Sequence, residues 1–253
     1  MSRVLVAVAF TFAAAGQVWA ADLPQAAPPP RAPVAYTPVA QIYNWGGFYF
    51  GLNAGGSFVS QGAPTMTNLA GDTEPTLSTS STGFAGGGQV GINFQLNQFV
   101  YGLEADADYL SNSSTNSGTT IFGGVPGTSQ YAYTLDVFST VRGRVGYAFD
   151  RTLVYATGGL AMGKYSVTRT QLTGTMNAAT AGTAETYSDL RLGWTAGLGL
   201  EYAFSDNWNA RLEYLYAGLE TESYTFPLAG RNVTTPTESV NVVRAGINYK
   251  FAF

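Results

Sequence analysis

Glu104-Ala105-Asp106-Ala107-Asp108 puts a carboxylate at every second position, and Arg142-Gly143-Arg144 sets two guanidiniums around a glycine. An acidic alternation is a starting point for a calcium or magnesium site, because hard cations take oxygen ligands. On a strand, however, same-face neighbours lie about 7 Å apart, so Glu104, Asp106 and Asp108 cannot all grip one ion. The two arginines could form a ring that selects anions, yet carboxylates on facing strands are the simpler partners. Glu201, Arg211, Glu213, Arg244 and Lys250 stand in similar alternations further along. Five acids and five bases can then share one face, and cross-strand ion pairing is expected in place of a metal or cofactor site.

Catalytic chemistry finds little to work with. The 253 residues include no histidine and no cysteine, so imidazole bases, thiolate nucleophiles, thiolate zinc sites and disulfides are all excluded. A Ser-Lys pair would be the remaining nucleophile, but Lys164 precedes Ser166 near a loop and Lys250 belongs to the charged face. Gly83 to Gly91 (GFAGGGQVG) lacks the Lys-Ser/Thr and the helix of a phosphate loop. We expect no enzyme. The net charge of −4, with no basic cluster, also excludes nucleic acid as a partner.

The elements that carry these charges have period two. Phe48, Phe50, Leu52, Ala54 and Phe58 alternate with Tyr49, Gly51, Asn53, Gly55 and Ser57; Phe99 to Tyr109 repeats the pattern against Gly102, Glu104, Asp106 and Asp108. Residues 84–96, 137–147, 192–204, 208–216 and 240–253 follow suit, which marks half-buried strands. Thr152 to Tyr165 is also expected to be a strand; its parity is ambiguous, with Lys164 assigned to the polar side. Short connections at Asn97-Gln98, Asp150-Arg151 and Asp206-Asn207 alternate with long polar ones over 60–81, 111–129, 167–188 and 218–238. The expected fold is all-β: an eight-stranded antiparallel transmembrane β-barrel with strands of about 10 to 14 residues, short periplasmic turns and long extracellular loops.

Volume decides which face looks out. Eight strands enclose a space that side chains just fill, and roughly twenty aromatics on the apolar faces would overfill it. The aromatics must therefore face lipid, and the charged residues form a luminal network that plugs the barrel. The low charged content, 11% against about 25% for soluble domains, agrees. Residues 1–20 have the cation, apolar run and small-residue end of a signal peptide, cleaved after Ala20. Residues 21–44 form a Pro-rich periplasmic lead-in, and 45–253 the outer-membrane barrel. The expected setting is the outer membrane, as a monomer in contact with lipid and lipopolysaccharide. The loops, carrying Asp72, Glu74, Glu185, Glu220, Glu222 and Glu238 against Arg169 and Arg231, are free to bind a surface ligand.

Several stretches carry a family resemblance: AADLP at Ala20 to Pro24, YNWGGFYFGLNAGG at Tyr43 to Gly56, and Val141 to Gly163. Gly193 to Phe204, Ala210 to Tyr216 and the terminal VRAGINYKFAF carry it too. Together they resemble the alphaproteobacterial outer-membrane β-barrel proteins, often labelled porin-like. The resemblance implies an OmpA-type barrel that supports envelope integrity and is exposed at the surface; a narrow small-solute channel is the alternative. Some relatives bind haemin, which here would fall to a tyrosine such as Tyr187 or Tyr224. Tyr249, Phe251 and the terminal Phe253 resemble the signal read by the barrel-assembly machinery.

Overall fold

The computed structural model describes residues 43–63, 65–68, 73–74, 79–122, 125–173, 184–226 and 231–251. The signal peptide, most of the lead-in and Phe253 lie outside the described residues. Among the described residues there are twelve strands: β1 (Gly47–Gln61), β2 (Thr65–Asn68), β3 (Thr73–Glu74), β4 (Thr79–Leu96), β5 (Phe99–Phe122) and β6 (Val125–Phe149). They continue with β7 (Thr152–Thr173), β8 (Ala184–Ala203), β9 (Trp208–Leu219), β10 (Glu222–Phe226), β11 (Arg231–Thr235) and β12 (Glu238–Phe251). Eight of them close a barrel in the order β1-β12-β9-β8-β7-β6-β5-β4, each pair antiparallel. The closing seam runs from Phe48↔Phe251 to Gln61↔Glu238. Asn97 and Asp150 turn the short connections with φ of 56° and 53°, a left-handed geometry that Asn and Asp tolerate better than other side-chain-bearing residues.

The strands are longer than their hydrophobic patterning suggests. β5 and β6 have 24 and 25 residues and run through most of the expected 111–129 loop. β7 and β8 likewise reach into 167–188. Within 60–81 and 218–238, short strands make a separate sheet in the order β10-β11-β2-β3. These stretches are rich in Ser and Thr; threonine favours strands, but polar residues on both faces leave no alternation to read.

Outward-facing apolar side chains cover the lower wall, with Phe50, Leu52, Leu103, Leu160, Leu198 and Phe251 all between 50% and 73% exposed. Aromatics gather in two bands. Near the short turns stand Phe48, Phe50, Phe99, Tyr101, Tyr202 and Trp208; higher up stand Phe58, Phe84, Tyr109, Trp194 and Tyr214. On β1, β5 and β8 the two bands are eight residues apart, roughly 20 Å for strands tilted by about 40°.

The interior is layered. Above the short turns lie Val100, Ala148, Leu153, Tyr155 and Ala203, then the charged residues. Next comes an apolar layer that includes Val59, Leu110, Leu135, Phe138, Leu215 and Val242. A tyrosine layer of Tyr131, Tyr133 and Tyr165 with Val167 follows. The expected charged plug therefore shares the bore with an apolar layer. On β7, Leu153, Tyr155, Ala161, Tyr165 and Val167 fill the interior, which turns Lys164 outward. The expected polar-side placement of Lys164 was therefore mistaken: packing by Tyr165 and Val167 sets the parity, and Gly158-Gly159 hid it. Lys164 pairs in register with Val137 and Leu190.

Two glycines make room for large luminal rings. A Cβ at Gly91 would strike the Tyr49 ring, and one at Gly199 the Tyr155 ring. Both rings are pinned, because Tyr49 donates to Glu104 (2.5 Å) and Tyr155 to Glu213 (2.9 Å). Gly199→Ala should therefore destabilise the barrel by about 1–3 kcal/mol in urea unfolding from lipid vesicles. Unchanged stability would show that the Tyr155 ring is free to move.

Candidate functional site

Five barrel strands contribute charge to one layer. β5 provides Glu104, Asp106 and Asp108; β6, Arg142 and Arg144; β8, Glu201; β9, Arg211 and Glu213; β12, Arg244. Register makes two of the pairs directly, since Glu104 faces Arg142 and Glu213 faces Arg244 across adjacent strands, whereas Glu201, opposite Arg211, pairs with Arg144. On their other sides, Glu104, Arg142, Arg211, Glu213 and Arg244 face Gly91, Gly159, Gly246, Gly199 and Gly55. The narrow lumen thus has space for long side chains where it needs them.

The result is one connected cluster. Arg142 reaches Glu104 (2.5 Å), Asp106 (2.6 Å) and Glu213 (3.0 Å). Arg211 spans the lumen to Glu104 (2.8 Å) and meets Glu213 (2.7 Å). Arg244 bonds Glu213 (2.7 Å), Asp106 (3.0 Å) and Asp108. Arg144 pairs with Glu201 (2.6 Å), receives support from the Tyr49 hydroxyl (2.9 Å), and stacks over Tyr155 at 3.9 Å. Thr140 donates to Asp106 at 2.7 Å. All nine charged residues are buried. Removing such groups from water costs several kcal/mol each, and the cost is offset only where every charge finds partners of good geometry. Here Glu104 and Glu213 each touch three arginines.

Lys250 sits apart. Its ammonium donates to the Asn44 carbonyl and lies 4.1 Å from the centre of the Tyr43 ring. The expected carboxylate partnership for Lys250 is thus corrected, because on β12 the residue lies three inward positions nearer the short turns than Arg244. Tyr49, Tyr155 and Thr140, unassigned from sequence, complete the cluster. The inward parity of Tyr49 was visible, but its hydroxyl contact with another strand was not.

A second set of charges occupies the upper lumen. Arg191 lies 3.8 Å from Glu238 and 3.9 Å from the centre of the Tyr165 ring, and Arg169 lies 3.9 Å from Glu185. Arg169 and Glu238 are both buried, which corrects their placement in solvated loops. Nearby, Gln61, Asn112, Tyr165 and Glu238 border a cavity of about 20 Å3, room for one water molecule. Tyr187 packs on the tyrosine layer and donates to Asp189 (3.1 Å), while the Tyr224 side chain lies outside the described residues. Among the described residues no group of three acidic side chains is arranged to hold a metal ion. Tyr249 and Phe251 lie on the outer wall, with Tyr249 edge-on to Trp208 at 5.1 Å and Phe251 against Phe50 at 5.7 Å.

Residues 32–251 match the outer membrane protein beta-barrel domain. The chain belongs to the outer-membrane β-barrel family. Within it, the chain is 32% identical to the 31 kDa outer-membrane immunogenic protein of Brucella melitensis biotype 1 over 256 residues, covering 99% of each. It is 32% identical to the 25 kDa outer-membrane immunogenic protein of Brucella canis over 92% of this chain and 90% of that one. The 22 kDa outer membrane protein of Rhizobium leguminosarum bv. viciae is 30% identical over 85% and 82%. This family member is an outer-membrane surface and structural protein whose interior is filled by charged pairs.

Arg244 joins three carboxylates from two other strands, so truncating it strands buried negative charge. Arg244→Ala should cost about 3–5 kcal/mol, whereas Lys250→Ala, which removes no ion pair of the cluster, should cost less. Urea unfolding of both variants in the same vesicles checks the order. Equal losses would mean that the cluster is no more stabilising than the mouth contact.

Proposed function

We propose that this chain is a closed transmembrane barrel of the OmpA type that braces the outer membrane and presents its extended strands at the cell surface. The observation that carries this reading is the filled lumen: a charged layer, an apolar layer and a tyrosine layer stacked across one narrow bore. The two aromatic bands support a membrane-spanning wall, with the short turns in the periplasm and the long strands outside. In this reading residues 1–20 are removed after Ala20, 21–44 run through the periplasm, and 45–253 form the barrel. Lipid and lipopolysaccharide surround it as a monomer. The barrel-assembly machinery inserts it by reading Tyr249, Phe251 and Phe253. The small β10-β11-β2-β3 sheet is the natural seat for a surface ligand. The word immunogenic in the names of the Brucella relatives supports exposure at the surface.

Deleting the gene should sensitise cells to detergents and large antibiotics without reducing uptake of small solutes, and the protein should migrate with a heat-modifiable shift in outer-membrane fractions. Lost uptake with an intact envelope would overturn the reading in favour of a channel.

A further inference from the structure

The residues just before β1 are not part of the wall, yet Tyr43 and Trp45 are as buried as its luminal side chains. Trp45 is 1% exposed and packs with Tyr43 at 4.9 Å, edge to face, on Val100, Ala148, Leu153, Tyr155 and Ala203. Its indole N–H donates to the Asp150 carbonyl (3.0 Å) in the β6–β7 turn. That turn lies across the ring from β1, whose own neighbours are β12 and β4. The Trp45 backbone N–H donates to Gln95 (2.6 Å), whose side chain in turn donates to the Asn97 carbonyl in the β4–β5 turn (2.8 Å). The Tyr43 backbone N–H donates to the Asp150 carboxylate (3.1 Å), and its hydroxyl to the Asp206 carbonyl (3.2 Å) in the β8–β9 connection. Lys250, at the end of β12, donates to the Asn44 carbonyl. Three consecutive residues therefore touch two of the three short connections and the last strand directly, and reach the third connection through Gln95. Burial lifts the Tyr43 hydroxyl to about 12, so it remains a neutral donor near neutral pH.

We propose that Tyr43, Asn44 and Trp45 form a strap that closes the short-turn mouth over the charge cluster and opens as a unit while the barrel wall stays paired. The physical basis is the kind of bond on each side of the boundary. β1 is secured by ladders to β12 and β4 along its whole length. Residues 43–46 belong to no strand, and their hold comes from side-chain contacts: hydrogen bonds, cations over the Tyr43 ring and the packing of Tyr43 and Trp45 on the base layer. Local opening selects such elements, because few backbone ladder bonds need to break. An open strap would uncover Tyr155 and Ala203 and, just above them, the Arg144–Glu201 pair. The strap thus governs access to the cluster from the mouth side, whichever way the barrel points.

The absence of native cysteine allows a direct test. Ala203→Cys, in the refolded full chain, places one thiol beneath the strap, and Ala217→Cys places one in the apolar layer above the cluster; both alanines are fully buried. A charged, membrane-impermeant maleimide should label the position-203 thiol about tenfold faster or more when Trp45→Ala is added. The position-217 thiol should stay protected, and heat-modifiable migration should be retained. Equal labelling at position 203 with and without Trp45 would overturn the proposal. Matched acceleration at both positions would do so too, since strap and wall would then open together. Should Trp45→Ala fail to fold, Tyr43→Phe removes only the hydroxyl bond to Asp206; it should still accelerate labelling at position 203 severalfold, and no acceleration would refute the strap.

Discussion

Four guanidiniums can occupy the middle of this lumen only because five carboxylates on three strands point at them. A charged group moved from water into a narrow, low-dielectric bore is strongly destabilised unless paired, so the cluster constrains everything around it. Glu104, Arg142, Glu213 and Arg244 meet only in the observed pairing register, and a one-residue slip of any charged strand would turn its charges into the outer wall. Apolar strands against lipid have little of their own to specify register, because Leu and Phe are interchangeable there. The charged layer supplies that specification, and the glycines opposite it supply the space.

Two solvents shape the two faces of the same strands. Outward, the wall presents Phe, Leu, Trp and Tyr, which a soluble protein would not leave exposed over such an area. Inward, the bore changes character with height, from the aromatic base to ion pairs, then to an apolar layer, then to tyrosines with further ion pairs. Each layer closes the bore by a different means. A barrel of eight strands has no spare volume for a permanent water column once Phe138, Leu215 and Arg244 are in place. On the proposed reading, function resides in the wall and in the extended strands above it.

Much of this could be read from the sequence, and the exceptions have physical causes. Strict alternation fixed the facing of β1, β5, β9 and β12, and with it the inward direction of Glu104, Arg211, Glu213 and Arg244. The upper parts of β5 to β8 escaped notice because Ser, Thr and Asn on both faces produce no hydrophobic period. The facing of β7 was hidden by Gly158 and Gly159 and decided by Tyr165 and Val167, whose neighbours on β6 are distant in sequence. Lys250 looked like another member of the ionic layer because parity says nothing about height. Trp45 read only as the first residue of the barrel, since only the closed ring brings Asp150 and Gln95 within its reach.

Planar lipid bilayer recording on the purified, refolded full chain tests the central claim most directly. A lumen closed by paired charges and an apolar layer should give no unitary conductance at either polarity in concentrated salt. Reproducible single-channel steps from the intact protein would contradict it, because ions would then be crossing a bore in which Arg142, Arg244 and Glu213 are mutually engaged.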